Sequence, residues 1–169
     1  MTYRILTVCT GNICRSPMAE VVLADALAKA GVDAEVDSAA VTSGEVGNPI
    51  DYRAQEILRS AGYAVPHRAA RKMDVDDLEE FDLILPMTAQ HESAINRIAR
   101  NGGLDPNDPA LAEIRLFRTF ATDADERGPY EMDVPDPWYG GRQDFIETLE
   151  TIEDALENIV EYVREQTQN

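Results

Sequence analysis

The chain has 169 residues, 44% apolar and 28% charged, which suits one globular domain and excludes fibrous and intrinsically disordered classes. Thirty-two acids against fifteen bases give a formal net charge of −17, a surface that repels both nucleic acid and anionic membranes. Any anionic ligand must therefore be drawn by a local positive site against the global field. No stretch approaches the roughly twenty apolar residues of a membrane span, and the apolar run at the N-terminus is too short for a secretory signal, so a cytoplasmic protein is expected. The two cysteines, Cys9 and Cys14, share one segment, and the two histidines, His67 and His91, lie far apart. That pattern fits neither a disulfide scaffold nor a metal centre, and no metal is expected.

Strand-like and helix-like segments alternate along the chain. Residues 3–8 are β-rich and run straight into a loop. Ser16-Pro17 then marks a helix start, with Ser16 as N-cap, and Gly31 marks its stop. Within that helix Ala19, Leu23 and Leu27 repeat at helical spacing. A strand over 34–38, a helix over 51–61 ended by Gly62, a short helix over 74–80 and an apolar strand over 81–85 follow. A helix over 89–101, a strand over 113–118 and a polar stretch over 121–141 come next. The last segment carries Phe145, Leu149, Ile152, Leu156, Ile159 and Val163 at steps of four and three, with acids between. This spacing predicts a long amphipathic helix packed on the sheet, with a partner helix or coiled coil as the alternative. Four strands separated by helices predict a single three-layer α/β domain spanning 1–169. Its centre is a four-stranded, parallel, doubly wound sheet flanked by helices. Ligands bind such sheets at the strands' carboxyl ends, beside the topological switch point.

The loop after the first strand, Cys9 to Ser16, has the make-up of a phosphate cradle. Gly11, and with it Asn12, can take positive φ and turn backbone N–H groups inward, and the following helix points its positive end at the same spot. Arg15 can close the ring with a bidentate grip on a phosphoryl group. Cys9, at the strand end, faces donors and positive charge that favour its thiolate, a nucleophile aimed at phosphorus. The alternative is a small buried apolar Cys9 beside a surface Arg15, which leaves the placement of Cys, Arg and Ser-Pro between strand and helix unexplained. Further along, Asp136 before Pro137 reads by itself as a turn starter.

The segment Val8–Glu20 (VCTGNICRSPMAE) resembles the signature of the low-molecular-weight protein tyrosine phosphatases. DSAA at 37–40, VGNP at 46–49, the His67–Arg71 segment, FDLIL at 81–85 and DPWYG at 136–140 follow in family order. The resemblance implies a phosphatase that acts on phosphotyrosine proteins without a cofactor and releases inorganic phosphate. It implies Cys9 as nucleophile, Arg15 as phosphate clamp and Asp136 as general acid and then base, with prolines on either side. The phosphate-binding loop would comprise Thr10, Gly11, Asn12, Ile13, Cys14, Arg15 and Ser16, and Ile13, Trp138 and Tyr139 would form the substrate pocket. Ile13 leans toward phosphotyrosine, because a Thr accompanies phosphoarginine use in similar proteins.

Asn12, Ser16 and His67 would support the loop. Ser16 can cap the helix and also donate to Cys9, and His67 reads equally as an exposed residue. Cys14 is either a core residue or a thiol that traps an oxidised Cys9 as a disulfide. Residues 41–46 lack the aromatic that many relatives place at the pocket rim, and Thr88 stands where an Asp is usual, with no role assigned to it. A protein arginine phosphatase and a non-catalytic phosphate-binding or thiol redox-sensing module are the rival readings. A thioredoxin-coupled arsenate reductase needs further cysteines that this chain lacks.

Overall fold

Alternation along the first strand decides which side of the sheet each residue serves. The computed structural model describes residues 2–128 and 131–168. Strand β1 (Tyr3–Cys9) sends Ile5 and Cys9 into one core and Leu6 and Val8 into the other. Strand β3 (Leu83–Pro86) repeats the division, with Leu83 and Leu85 on the first side and Ile84 on the second. With β2 (Ala34–Ala40) and β4 (Glu113–Ile114) they form a parallel sheet in the order β2-β1-β3-β4. The chain steps one way from β1 to β2 and then crosses back to β3. The switch point therefore lies at the carboxyl end of β1, where Cys9 ends the strand.

Helices cover both faces. On the first lie α1 (Arg15–Lys29), α2 (Tyr52–Ser60) and α5 (Arg142–Thr167). From α1, Met18, Val22, Leu23 and Leu27 meet Phe145, Leu149, Ile152 and Ile159 of α5 in one buried cluster. The apolar stripe of the 26-residue α5 is thus used inside the domain, as its amphipathic spacing predicts. Leu78 of α3 (Asp77–Glu80), with Ile95 and Ala99 of α4 (Ala89–Asn101), fills the second core.

Two expectations need correction. The strand foreseen over 113–118 stops at Ile114, because Phe117 and Phe120 turn inward on a 3-10 turn. Within the polar stretch over 121–141, Ala124–Glu126 forms a 3-10 turn, and residues 129 and 130 lie outside the described residues. Finally, α1 begins one residue before Ser16, and Ser16 does not cap it, since its hydroxyl faces the loop. Thr7 ties the two elements together, donating from the centre of β1 to the Ser16 carbonyl at 2.8 Å.

Candidate active site

The loop between β1 and α1 is closed by interior side chains. Asn12, wholly buried, is the residue with positive φ (62°), whereas Gly11 is not, contrary to the sequence expectation. Asn tolerates that conformation and, unlike Gly, brings polar atoms. Its Nδ2 donates to Ser16 Oγ and to Ser38 Oγ, both at 2.8 Å, and its Oδ1 accepts from the Arg71 N–H at 3.2 Å. At Gly11 a Cβ would lie 3.0 Å from Cγ of Glu45, a tight contact with a side chain that packs over the loop. Ser16 Oγ sits 3.0 Å from Cys9 Sγ. With one Ser16 lone pair taken by Asn12, its proton is free to point at the sulfur, as a thiolate requires.

A second, half-buried layer lies behind Asn12. Ser38 Oγ accepts from Arg68 Nη2 at 3.0 Å and donates to Glu20 Oε1 at 2.5 Å. Burial raises the Glu20 carboxyl above its usual range and lowers the Arg68 guanidinium. The sequence assigned loop support to His67, but His67 points outward and is exposed. The neighbouring Arg68 occupies the supporting place, through its hydrogen bond to Ser38.

His91, in the first turn of α4, was missed from the sequence. It is 2% exposed, and its Nε2 lies 2.8 Å from Thr10 Oγ1. Burial, and next the charge of Arg15, lower its pKa to about 4, so the ring is neutral at ordinary pH. The available signal was positional, since α4 starts at the carboxyl end of β3, beside the switch point. Thr88, to which no role was given, caps that helix by accepting from the His91 N–H at 3.2 Å.

The opposite wall is the segment 133–138. Asp133 Oδ1 accepts from the Ala89 N–H at the start of α4 (2.8 Å), and its carbonyl accepts from Arg118 (2.9 Å). Val134 accepts from Arg15 Nη1 (3.2 Å), Pro135 from Thr148 Oγ1 (3.2 Å) and Trp138 from Arg53 Nη1 (3.2 Å), each at its carbonyl. The Asp136 carboxylate, roughly half exposed, lies 3.5 Å from Arg15 Nη2 and accepts from the Trp138 N–H at 3.0 Å. A cleft of about 220 Å³ results, with Cys9, Ile13, Cys14 and Arg15 at its floor and Glu45, Asp136, Trp138 and Tyr139 at its sides. Both thiols are free and buried, and burial, followed by Asp51, raises the Cys14 thiol so that it stays protonated.

The family model for low molecular weight phosphotyrosine protein phosphatases matches residues 4–169. The chain belongs to this family. It is 39% identical to a low molecular weight protein-tyrosine-phosphatase of Streptomyces coelicolor, over 99% of this chain and 98% of that one. It is also 39% identical to the low molecular weight protein-tyrosine phosphatase A of Mycobacterium tuberculosis, over 94% of this chain and 90% of the relative. The crystal structure of YfkJ from Bacillus subtilis superposes with a TM-score of 0.84 at 31% identity, covering 98% of this chain and 97% of that one. Vibrio vulnificus Wzb in complex with benzylphosphonate superposes at 0.77 and 26% identity, over 96% and 99%.

This protein is thus a low molecular weight protein-tyrosine-phosphatase with the family's α/β fold. Of the residues singled out from its sequence, the structure brings all but His67 to one cleft or to the loop's immediate support. No helix among the described residues is long and apolar enough to cross a membrane.

Proposed function

We propose that the chain works as one cytoplasmic catalytic domain, residues 1–169, hydrolysing phosphotyrosine in proteins by two displacements at Cys9. The observation that carries this reading is the meeting of four groups: the Cys9 sulfur with the Ser16 hydroxyl, and Arg15 with the Asp136 carboxylate, at the N-terminus of α1. In the first step the Cys9 thiolate attacks phosphorus and the bond to the tyrosyl oxygen breaks. Protonated Asp136 gives that oxygen its proton, so the phenol leaves neutral. Arg15 and the N–H groups from Thr10 to Ser16 hold the three non-bridging oxygens, where negative charge is greatest in the transition state. In the second step Asp136, now a carboxylate, takes a proton from water as it attacks the phosphocysteine. Inorganic phosphate leaves and the thiolate returns.

The chemistry assigned to these residues calls for no cofactor. Ile13 and the aromatic side chains of Trp138 and Tyr139 favour a flat aryl leaving group. The net charge of −17 suits a protein rather than a nucleic acid substrate. Cys14 is proposed as a protective thiol that condenses with a Cys9 sulfenic acid, forming the disulfide and releasing water. The decisive experiment is steady-state hydrolysis of an aryl phosphate with EDTA present. Cys9→Ser should abolish turnover and Asp136→Asn should strongly lower it, while phosphotyrosine peptides should be preferred to phosphoarginine peptides. Phosphate binding without turnover of any of these substrates would instead mark a binding or redox-sensing module.

A further inference from the structure

The mouth of the cleft differs chemically from its floor. Arg15, the cation lining the cleft, is 6% exposed and held at the floor. The other charged residues lining it are the acids Glu45 and Asp136. Arg53, which donates to the Trp138 carbonyl, is already matched. Its Nε and Nη2 meet the two Asp51 oxygens at 3.1 and 3.2 Å, and the Trp138 and Phe145 rings cover its guanidinium at 5.2 and 4.7 Å. Glu45 lies over Gly11 of the phosphate loop, and its Oε2 accepts from Asn48 Nδ2 at 2.6 Å.

Of the large apolar side chains exposed among the described residues, Trp138 and Tyr139 line the cleft. Val46 follows Glu45, and Tyr52 shares the Arg53 guanidinium with Trp138. Two aromatic rings and the Glu45 carboxylate lining one cleft, on a surface of net charge −17, make a complement for a cationic side chain with an aliphatic stem.

Resting on the phosphotyrosine reading above, we propose that this rim docks the polypeptide flanking the phosphotyrosine. It selects segments with Arg or Lys beside that residue and rejects Asp or Glu there, with Glu45 as the specificity-determining residue. The phosphate goes to Arg15 at the floor, the flanking cation meets Glu45, and its stem lies on the Trp138 and Tyr139 rings. A flanking acid would bring like charges together in a partly desolvated cleft.

The test compares kcat/KM for two phosphotyrosine peptides of equal length, one flanked by arginines and one by glutamates, at low and high salt. Wild type should favour the basic peptide by about three- to tenfold at low salt, and less at high salt. Glu45→Gln should reduce the ratio to under about twofold, and Glu45→Lys should invert it. Because each ratio is taken within one variant, a change in overall activity does not enter it. Glu45 supplies only one charge, so a preference set by the whole protein's field would survive Glu45→Gln, and that result overturns the proposal. A wild type with no charge preference, or one for the acidic peptide, overturns it while leaving the phosphatase reading standing. Failure to turn over either peptide or an aryl phosphate overturns both.

Discussion

The β1–α1 loop and the segment 133–138 face each other across one cleft, yet they are fixed through different atoms. The loop is tied by interior side chains, with buried Asn12, Ser16 and Ser38 and half-buried Arg68 and Glu20 joined in one hydrogen-bonded chain. The opposite segment is tied largely through its carbonyls, to Arg15, Arg118, Thr148 and Arg53, and its own Asp136, Trp138 and Tyr139 side chains stay exposed. The difference matches the work asked of each. A nucleophile and its oxyanion donors must be placed to within a fraction of an ångström, and buried, satisfied networks do this best. A proton donor that becomes an acceptor, and a rim that reads substrates, need side chains in contact with solvent.

Removing groups on either side should therefore have different signatures. Asp136→Asn leaves the backbone anchors intact and should lower kcat for an aryl phosphate by about 10²–10⁴-fold with little change in unfolding midpoint. Asn12→Ala removes three hydrogen bonds, two of them buried, at a left-handed position, and should cost about 2–4 kcal/mol in urea unfolding as well as activity. Asn12→Gly, which accepts the φ but not the bonds, should recover only part of that loss.

His91 sharpens the comparison by pH. Its folded pKa of about 4 lies below the ordinary 6.5, so the unfolded chain binds the extra proton first. Stability should fall as pH drops from about 6.5 to 4, by about 3 kcal/mol, and this component should vanish in His91→Gln. Urea midpoints across that range check it. Among the supports, Arg68→Ala should cost about 1–2 kcal/mol and lower activity, whereas His67→Ala should stay within about 0.5 kcal/mol. At the rim, Trp138→Ala should raise KM about two- to tenfold for an aryl substrate, with kcat less affected.

Most of the fold was legible because its signals are local. The alternation of Ile5 and Leu6 and the spacing of Leu149 and Ile152 each belong to one element, and the cradle is one continuous segment. Apart from Ser16, whose competing partners lie in its own loop, the mistakes arose where the deciding partner comes from elsewhere in the chain. Ser16 fits a cap by type, but Cys9 and Asn12 claim its hydroxyl. Gly11 fits a positive φ by type, but that φ falls on Asn12, and what crowds Gly11 is the Glu45 side chain. His91 became visible only when β3 set α4 beside Thr10, and Arg68 replaced His67 because Ser38 and Glu20 converge on it from β2 and α1.

The central claim is that Cys9 carries the phosphoryl group between the two steps. Acid quenching of the wild-type enzyme during turnover of an aryl phosphate, followed by peptide mass analysis, measures this directly. The account predicts one added phosphoryl group on the peptide containing Cys9, and none in Cys9→Ser. A phosphoryl group on another residue, or sustained turnover by Cys9→Ser, would contradict it.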